Sequence, residues 1–161
     1  MDLPSPTLKN LELFKSSLGD ERHSLFHHIN CTKTRFGARL LKRWLLGPLL
    51  DVTAICERQN MIEEVLKCDK TDLLFSVIDK LSSLPDVEKG LLNILHKKCS
   101  LWEFYSVVDS LHTVWNTVNG LLPHIDQHVK NKEIKAILIN IVDYLAGSAA
   151  YIKNIQETSA R

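Results

Sequence analysis

The sequence lacks the signatures of nucleotide, metal and covalent chemistry. Its six glycines never form the GxxxxGKS/T pattern whose backbone amides cradle phosphates. Its four cysteines form no CxxC pair and stand in a sequence without secretory features, which favours reduced thiols. No residue set supplies a nucleophile together with an oxyanion donor cluster. We therefore expect no enzyme, and no catalytic, cofactor-binding or metal site in this chain.

Strong charge and long apolar runs are also missing. The formal net charge is +1 over 161 residues, so any contact with nucleic acid must come from a local patch. No apolar run approaches the ~18–20 residues that cross a bilayer, and Pro4 and Pro6 stand where a signal peptide would be apolar. We expect no membrane partner. The apolar content of 45% indicates one globular domain.

Apolar residues recur at helical spacing, and no run alternates as a strand would, so an all-α fold is predicted. Residues 1–23 contain Pro4 and Pro6 and are expected to be an extended leader of the domain. Residues 24–161 are expected to be a multi-helix segment that ends in a long helix. The predicted helices cover about 24–30, 34–46 and 53–66, one after a cap at Thr71, one after a cap at Asp86, one from Ser100 to about 119, and 132–157 with a weak point at Gly147.

The helix over 34–46 has the sharpest division between an apolar and a basic face. Thr34 is its predicted N-cap, and Gly47 before Pro48 should end it because proline disfavours α geometry in the preceding residue. Trp44 on the apolar face, like Trp102 further along, is predicted to pack in a core. The same is predicted for four residues of the next helix, Ile55, Ile62, Val65 and Leu66. The possible phosphate contacts on the other face are Lys33, Arg35, Arg39, Lys42 and Arg43.

These basic residues also have less specific interpretations. Stripes of one charge are common on solvated or interdomain helix faces, which is the more frequent case. A short helix, a turn and a basic helix imitate a DNA-binding helix-turn-helix, although the exposed face lacks the Asn, Gln and Ser that base reading usually needs. A free-standing helical DNA-binding or adaptor module is therefore the alternative function.

Two further groups of residues have spacing or placement that suggests a specific interaction. His27 and Cys31, with His96 and Cys99, have spacing that could hold zinc, but partly buried thiols and surface imidazoles explain such pairs more often. Arg58 follows an apolar stripe by one turn and should be paired there. Its expected partners are Asp86 and Glu88.

A set of residues along the first hundred positions resembles the pattern of one family. The matching residues are Thr7-Leu8, Asn10-Leu11-Glu12, Ser24-Leu25, Thr32, Thr34, Phe36-Gly37, Arg39, Leu41, Trp44, Pro48-Leu49, Ile55, Arg58, Leu84-Pro85-Asp86, Glu88 and Leu91. This set resembles the lever, or core, domain of the MutS family of DNA mismatch-repair proteins. Residues 84–104 look closest to its third eukaryotic branch. His23 and Lys89 depart from the family, which usually has glycine and arginine there.

The resemblance implies a mechanical function. The chain would be the ascending half of a lever, ending before the inserted clamp, and would couple ATPase state to the binding of mismatched or looped DNA. By the same resemblance, the parent protein would be nuclear, would bind ATP and Mg in a nucleotide-binding domain absent from this chain, and would form a heterodimer with the second eukaryotic MutS homologue. The residues that the family pattern marks as architectural are Thr34, Gly37, Arg39, Trp44, Pro48, Arg58 and Asp86.

Overall fold

A computed structural model describes residues 2–69, 72–148 and 150–152. Within these residues the chain is helical and has no strand, which confirms the predicted all-α class. The helices are α1 (Ser5–Asn10), α2 (Leu25–Ile29), α3 (Arg35–Leu46), α4 (Val52–Lys67), α5 (Leu73–Ser82), α6 (Val87–Leu95), α7 (Leu101–Leu121), α8 (Ile125–His128) and α9 (Lys132–Leu145), with a 3-10 turn at Leu122–His124 before α8.

The chain divides into two compact units, Met1–Cys56 and Glu57–Arg161. The predicted division into a leader over 1–23 and a lever over 24–161 stays a prediction. The cap predicted at Thr71 lies outside the described residues, as does the end of the helix predicted over 132–157. Within the described residues α9 ends at Leu145, two positions before the predicted weak point at Gly147.

Local capping explains why most predicted helix starts are confirmed. Each cap side chain accepts a hydrogen bond from an amide of the first turn, which has no acceptor inside the helix. At α7 the bond is reciprocal, because the Glu103 carboxylate accepts from the Ser100 amide at 2.8 Å. The cap-to-amide pairs are Ser24 with His27, Thr34 with Gly37, Asp86 with Lys89, and Ser100 with Glu103.

Residues 5–10 correct the prediction of an extended leader. They form α1, with Pro4 at its N-cap and Pro6 in its first turn. The first amides of a helix have no intrahelical acceptor, so a proline there loses no hydrogen bond and its fixed φ suits the helix. The prolines that were expected to prevent a helix therefore start one.

Helix α7 also runs further than predicted, through Gly120 to Leu121. Val118 and Leu121 are almost fully buried at this end. Burying two aliphatic side chains contributes more than the roughly 1 kcal/mol that glycine costs inside a helix. Pro123 falls in the 3-10 turn that follows.

The core of the second unit is built around α7, against which α5, α6 and α9 pack. Helix α6 approaches α7 closely at Gly90, where a Cβ would lie 2.3 Å from Val107 Cγ2. The buried core cluster consists of Leu74, Val77, Val114, Val118, Leu121, Val129 and Leu138.

Several residues predicted to be buried are exposed instead. Trp44 is 38% exposed, and in α4 no residue is buried, with Leu66 at 80% exposure. Trp102 is likewise on the surface. Helical periodicity identifies an apolar face, but burying that face requires another element packed on it. The expectation of a packed core on these faces is therefore wrong for the chain as described.

The last helical stretch bears on the expectation that no apolar run is long enough to cross a bilayer. Lys132–Ile152 is long and apolar enough, by length and average composition, to cross a membrane, a property that core helices also have. Lys135 and Asp143 interrupt its apolar residues, so no continuous run marks it in the sequence. The expected absence of a membrane partner stays a prediction.

Candidate functional site: a basic helix beside a capped turn

The segment before α2 holds the first turn of that helix. The Glu12 carbonyl accepts the Leu25 amide at 3.0 Å, and the Leu13 carbonyl accepts the Phe26 amide at 2.9 Å. Together with the Ser24 cap, these bonds satisfy amides that the helix itself leaves unpaired. Backbone hydrogen bonds therefore fix the start of α2 to residues 12–13.

Glu12 reaches this arrangement in an unusual backbone conformation. Its φ is +49°, in the left-handed region that costs a non-glycine residue about 1 kcal/mol or more. Its Oε1 accepts the Ser17 amide at 2.6 Å, so the side chain has a structural partner within the same turn. The neighbouring Leu13 side chain is buried. The strained turn at Glu12 thus holds the start of α2 by hydrogen bonds. It coincides with the part of the family pattern at Asn10-Leu11-Glu12.

The turn between α2 and α3 is held by polar side chains. Asn30 Oδ1 accepts the Thr32 hydroxyl at 2.6 Å and the Thr32 amide at 3.3 Å. Thr34 Oγ1 then accepts the Gly37 amide at 3.1 Å and begins α3. A Cβ on Gly37 would lie 2.7 Å from the same Oγ1, closer than real Cβ contacts allow. Glycine is therefore the residue that leaves room for the cap.

The basic side chains predicted to contact phosphate lie on or directly before α3. Arg39 is half-buried, and the other four are exposed. Lys42 Nζ stands 4.8 Å from the centroid of the Phe26 ring, a cation–π contact worth about 0.5–1 kcal/mol at an exposed site. Phe26 in turn contacts Phe14, with ring centroids 5.9 Å apart. This lysine therefore links α3 to α2, and phosphate contact by the five residues stays a prediction.

Other residues that the family pattern marks as architectural lie outside this turn, and that role stays a prediction. Gly47 is the C-cap of α3, its amide bonded to the Arg43 carbonyl at 3.0 Å, and Pro48 follows. Arg58 is half-buried in α4, and Asp86 is the N-cap of α6. Pairing of Arg58 with Asp86 or Glu88 stays a prediction.

The zinc arrangement finds no support in the part of the chain that the structure describes. No group of three or more His, Cys, Asp or Glu residues there could hold a metal ion. The four cysteines, Cys31, Cys56, Cys68 and Cys99, are free thiols.

A polar cavity of about 460 Å³ in the second unit was not predicted from the sequence. At its edge the Glu64 carboxylate accepts the Lys130 amide at 2.5 Å and the Asn131 amide at 2.7 Å. Asn131 is itself the N-cap of α9. Glu64 therefore holds the start of α9 against α4, across 67 residues of sequence.

Asp72 and His128 form a second link at this cavity, 2.9 Å between Oδ1 and Nδ1. The hydrogen bond from His128 is the main cause that lowers the pKa of Asp72, and the Asp69 amide adds to it. Both partners are partly buried. No local pattern could have indicated this pair or the Glu64 contact, since the partners are far apart in sequence and each alone resembles a solvated surface residue.

The chain is similar to proteins of one family over nearly its whole length. The family model for MutS domain III matches residues 6–159. The human DNA mismatch repair protein Msh3 is 32% identical over 163 residues, which cover 100% of this chain and 14% of that protein. The mouse Msh3 is 34% identical over the same extent. The mismatch repair protein MutS of Methanosarcina acetivorans is 38% identical over 124 residues, 76% of this chain and 13% of that protein.

The chain thus spans 14% of the length of its Msh3 relatives. The family model covers far more than half of the chain, and its description agrees with the all-α fold. The chain belongs to the MutS family of DNA mismatch-repair proteins, in which it corresponds to domain III.

Proposed function

We propose that this chain is the lever segment of a MutS-type mismatch-repair protein and couples ATPase state to the binding of mismatched or looped DNA. The observation that carries the proposal is the fixed connection between α2 and α3. Backbone bonds from Glu12 and Leu13 hold the start of α2. The connection itself is held by the Asn30–Thr32 hydrogen bonds and by the Thr34 cap beside Gly37. A connection held in this way passes a displacement from one helix to the next, whereas a loose loop would absorb it.

The remaining features of the proposal concern the protein in which such a segment works. We propose that it acts in the nucleus as a heterodimer with the second eukaryotic MutS homologue, on mismatched or insertion–deletion-loop DNA. ATP and Mg would bind a nucleotide-binding domain outside this chain. The support is the similarity to Msh3 proteins along the full chain.

A chimaera tests the proposal. The matching segment of human Msh3 would be replaced by this chain, and ATP-driven release of loop-containing DNA would be measured with the purified heterodimer. We expect the chimaera to retain release. Gly37→Val, which removes the room for the Thr34 cap, and Trp44→Ala, which truncates the apolar face of α3, should each uncouple ATP binding from DNA release.

Tyr144→Ala is the control, because it removes an exposed aromatic side chain outside the first unit. It should leave release unchanged. Helical content of each variant would be checked by circular dichroism. If release survives both Gly37→Val and Trp44→Ala in folded protein, this region does not act as a lever.

The exposed basic residues Lys33, Arg35, Lys42 and Arg43 favour a second candidate, a module that binds duplex DNA by itself. Four phosphate contacts would give a salt slope of about −3.6, roughly a hundredfold loss of affinity between about 50 and 200 mM salt. A lever segment alone should bind duplex DNA feebly or not at all. Tight binding of the 161-residue chain with that slope, abolished by Arg35→Glu, would favour the second candidate.

A further inference from the structure

The corner where α6 turns into α7 is rigidly built. The Lys98 amide bonds to the Asn93 carbonyl at 2.9 Å and closes the end of α6. The capping box of Ser100 and Glu103 then fixes the first turn of α7. The shape of this corner is therefore set before any partner binds, and a surface that needs no ordering loses less free energy on association.

Large apolar side chains stand exposed at this corner. Leu95 is 73%, Leu101 90% and Trp102 75% exposed. The Trp102 ring stacks on Tyr105 with centroids 6.2 Å apart and 28° between planes, which limits its motion. Single exposed hydrophobic residues are ordinary, whereas here three lie within eight positions of the chain. Tryptophan is also among the residues most enriched at the centre of interfaces.

The backbone and side chain of Lys97 give a second, independent indication that this corner binds a partner. Its φ is +55°, at the end of a helix where glycine would be free of strain. Among the described residues Glu12 is also left-handed, and it uses its carboxylate to bind a backbone amide. The Lys97 ammonium, by contrast, has no hydrogen bond or ion pair with any described residue, and it is exposed. Strain kept at a residue whose side chain bonds to none of the described residues points to a use in binding a partner.

The charge of the corner is positive. Lys97 and Lys98 adjoin the apolar patch, and residues 96–102 contain no acidic side chain. The carboxylate of Glu103 accepts the Ser100 amide, and this bond lowers the pKa of the carboxyl group and so keeps it ionised. The corner therefore carries two lysine charges against this one carboxylate. An occupant that complements this surface carries carboxylates beside an apolar residue.

We propose that this corner, formed by Leu95, Lys97, Lys98, Leu101 and Trp102, is a docking surface for an acidic peptide segment of a partner protein with an apolar anchor residue. The apolar anchor would lie on Trp102, and the carboxylates of the peptide would pair with the two lysines. Two aliphatic side chains beside the tryptophan suit an apolar protein side chain better than a nucleic-acid base. The lever function does not depend on this surface.

The test uses the 161-residue chain and a fluorescein-labelled peptide of about 14 residues, made of Glu, Asp, Leu and Phe with the apolar residues at helical spacing. Fluorescence anisotropy gives the dissociation constant. Trp102→Ala should raise it about tenfold, as expected for a central aromatic anchor. Tyr144→Ala, which removes a tyrosine that is 86% exposed on α9, is the matched control and should leave it unchanged.

Lys97→Gly separates a binding role from a structural one. Glycine relieves the left-handed strain, so the unfolding midpoint should rise while the peptide binds several-fold more weakly. A merely structural lysine would leave the dissociation constant unchanged, and that result overturns the proposal. Four other outcomes also overturn it. The first two are no binding of the peptide, and equal binding of a peptide with lysine in place of its acidic residues. The other two are self-association of the chain, and binding of oligothymidine, where either depends on Trp102.

Discussion

A tight steric constraint in the first unit lies at Gly37, and it can be tested as a coupling energy. Thr34 Oγ1 accepts the Gly37 amide at 3.1 Å, and a Cβ at position 37 would lie 2.7 Å from that oxygen. The next contact of the added carbon, Thr32 Cβ at 3.8 Å, is ordinary van der Waals distance. A side chain at 37 can therefore be accommodated only if Thr34 turns away and the cap is lost.

Two effects of similar size oppose each other in Gly37→Ala. Alanine favours a helix over glycine by about 0.5–1 kcal/mol, while loss of the threonine cap costs about 1 kcal/mol. The net change in unfolding free energy should be close to zero. In a Thr34→Ala background the cap is already gone, so Gly37→Ala should stabilise by about 0.5–1 kcal/mol. The expected coupling energy between the two positions is therefore about 1 kcal/mol.

Urea unfolding of the four proteins, followed by circular dichroism, measures this cycle. Thr34→Ser is the conservative variant, because serine keeps the Oγ acceptor and should preserve the coupling. Gly120→Ala is the matched glycine control: nothing lies within 4 Å of its added Cβ, so it should stabilise by up to about 1 kcal/mol. If Gly37→Ala stabilises equally in both backgrounds, within the ~0.5 kcal/mol expected of independent sites, the steric conflict does not exist.

Three further predictions concern the second unit. Gly90→Ala should destabilise it by about 1–3 kcal/mol because its Cβ meets Val107, and Val107→Ala in addition should restore part of the loss in urea unfolding. Glu64→Ala leaves two amides at the start of α9 without their acceptor and should cost about 1–3 kcal/mol, with faster amide hydrogen exchange there as the local check. The pKa of Asp72 is below its usual 3.8, so its contribution to the free energy of unfolding is complete above pH 3.8 and is lost as pH falls through the lowered pKa. Asp72→Asn should remove this contribution from an acid-unfolding curve. An unchanged curve would refute the link to His128.

The sequence predicted the helix starts well because each cap is a local signal. Thr34 and Gly37, or Ser100 and Glu103, lie three residues apart, so the acceptor and its amide can be recognised from spacing alone. The prediction that Pro6 prevents a helix was wrong, because proline is unfavourable in a helix interior but suits the first turn. The position of the residue within the helix decided its effect.

Contacts between distant residues and the exposure of apolar faces could not be predicted in the same way. The Glu64 carboxylate meets the Asn131 amide across 67 positions, and the Lys42 ammonium lies over the Phe26 ring of another helix. Trp102 has helical spacing to apolar neighbours, yet it is exposed because no described element covers its side of α7. Periodicity shows which residues share a face, and only the arrangement of the other elements shows whether that face is covered.

The first unit shows what holds a helix connection when packing contributes little. Every residue of α2 and α3 is described, and none of them is buried. The start of α2 is nevertheless fixed by the Glu12 and Leu13 carbonyls, and the start of α3 by the Thr34 cap. Hydrogen bonds of this kind contribute about 1 kcal/mol each, more than a half-exposed side chain loses on a conservative change. A substitution at Gly37 that removes one such bond should therefore weaken coupling more than a conservative exchange on the apolar face of α3.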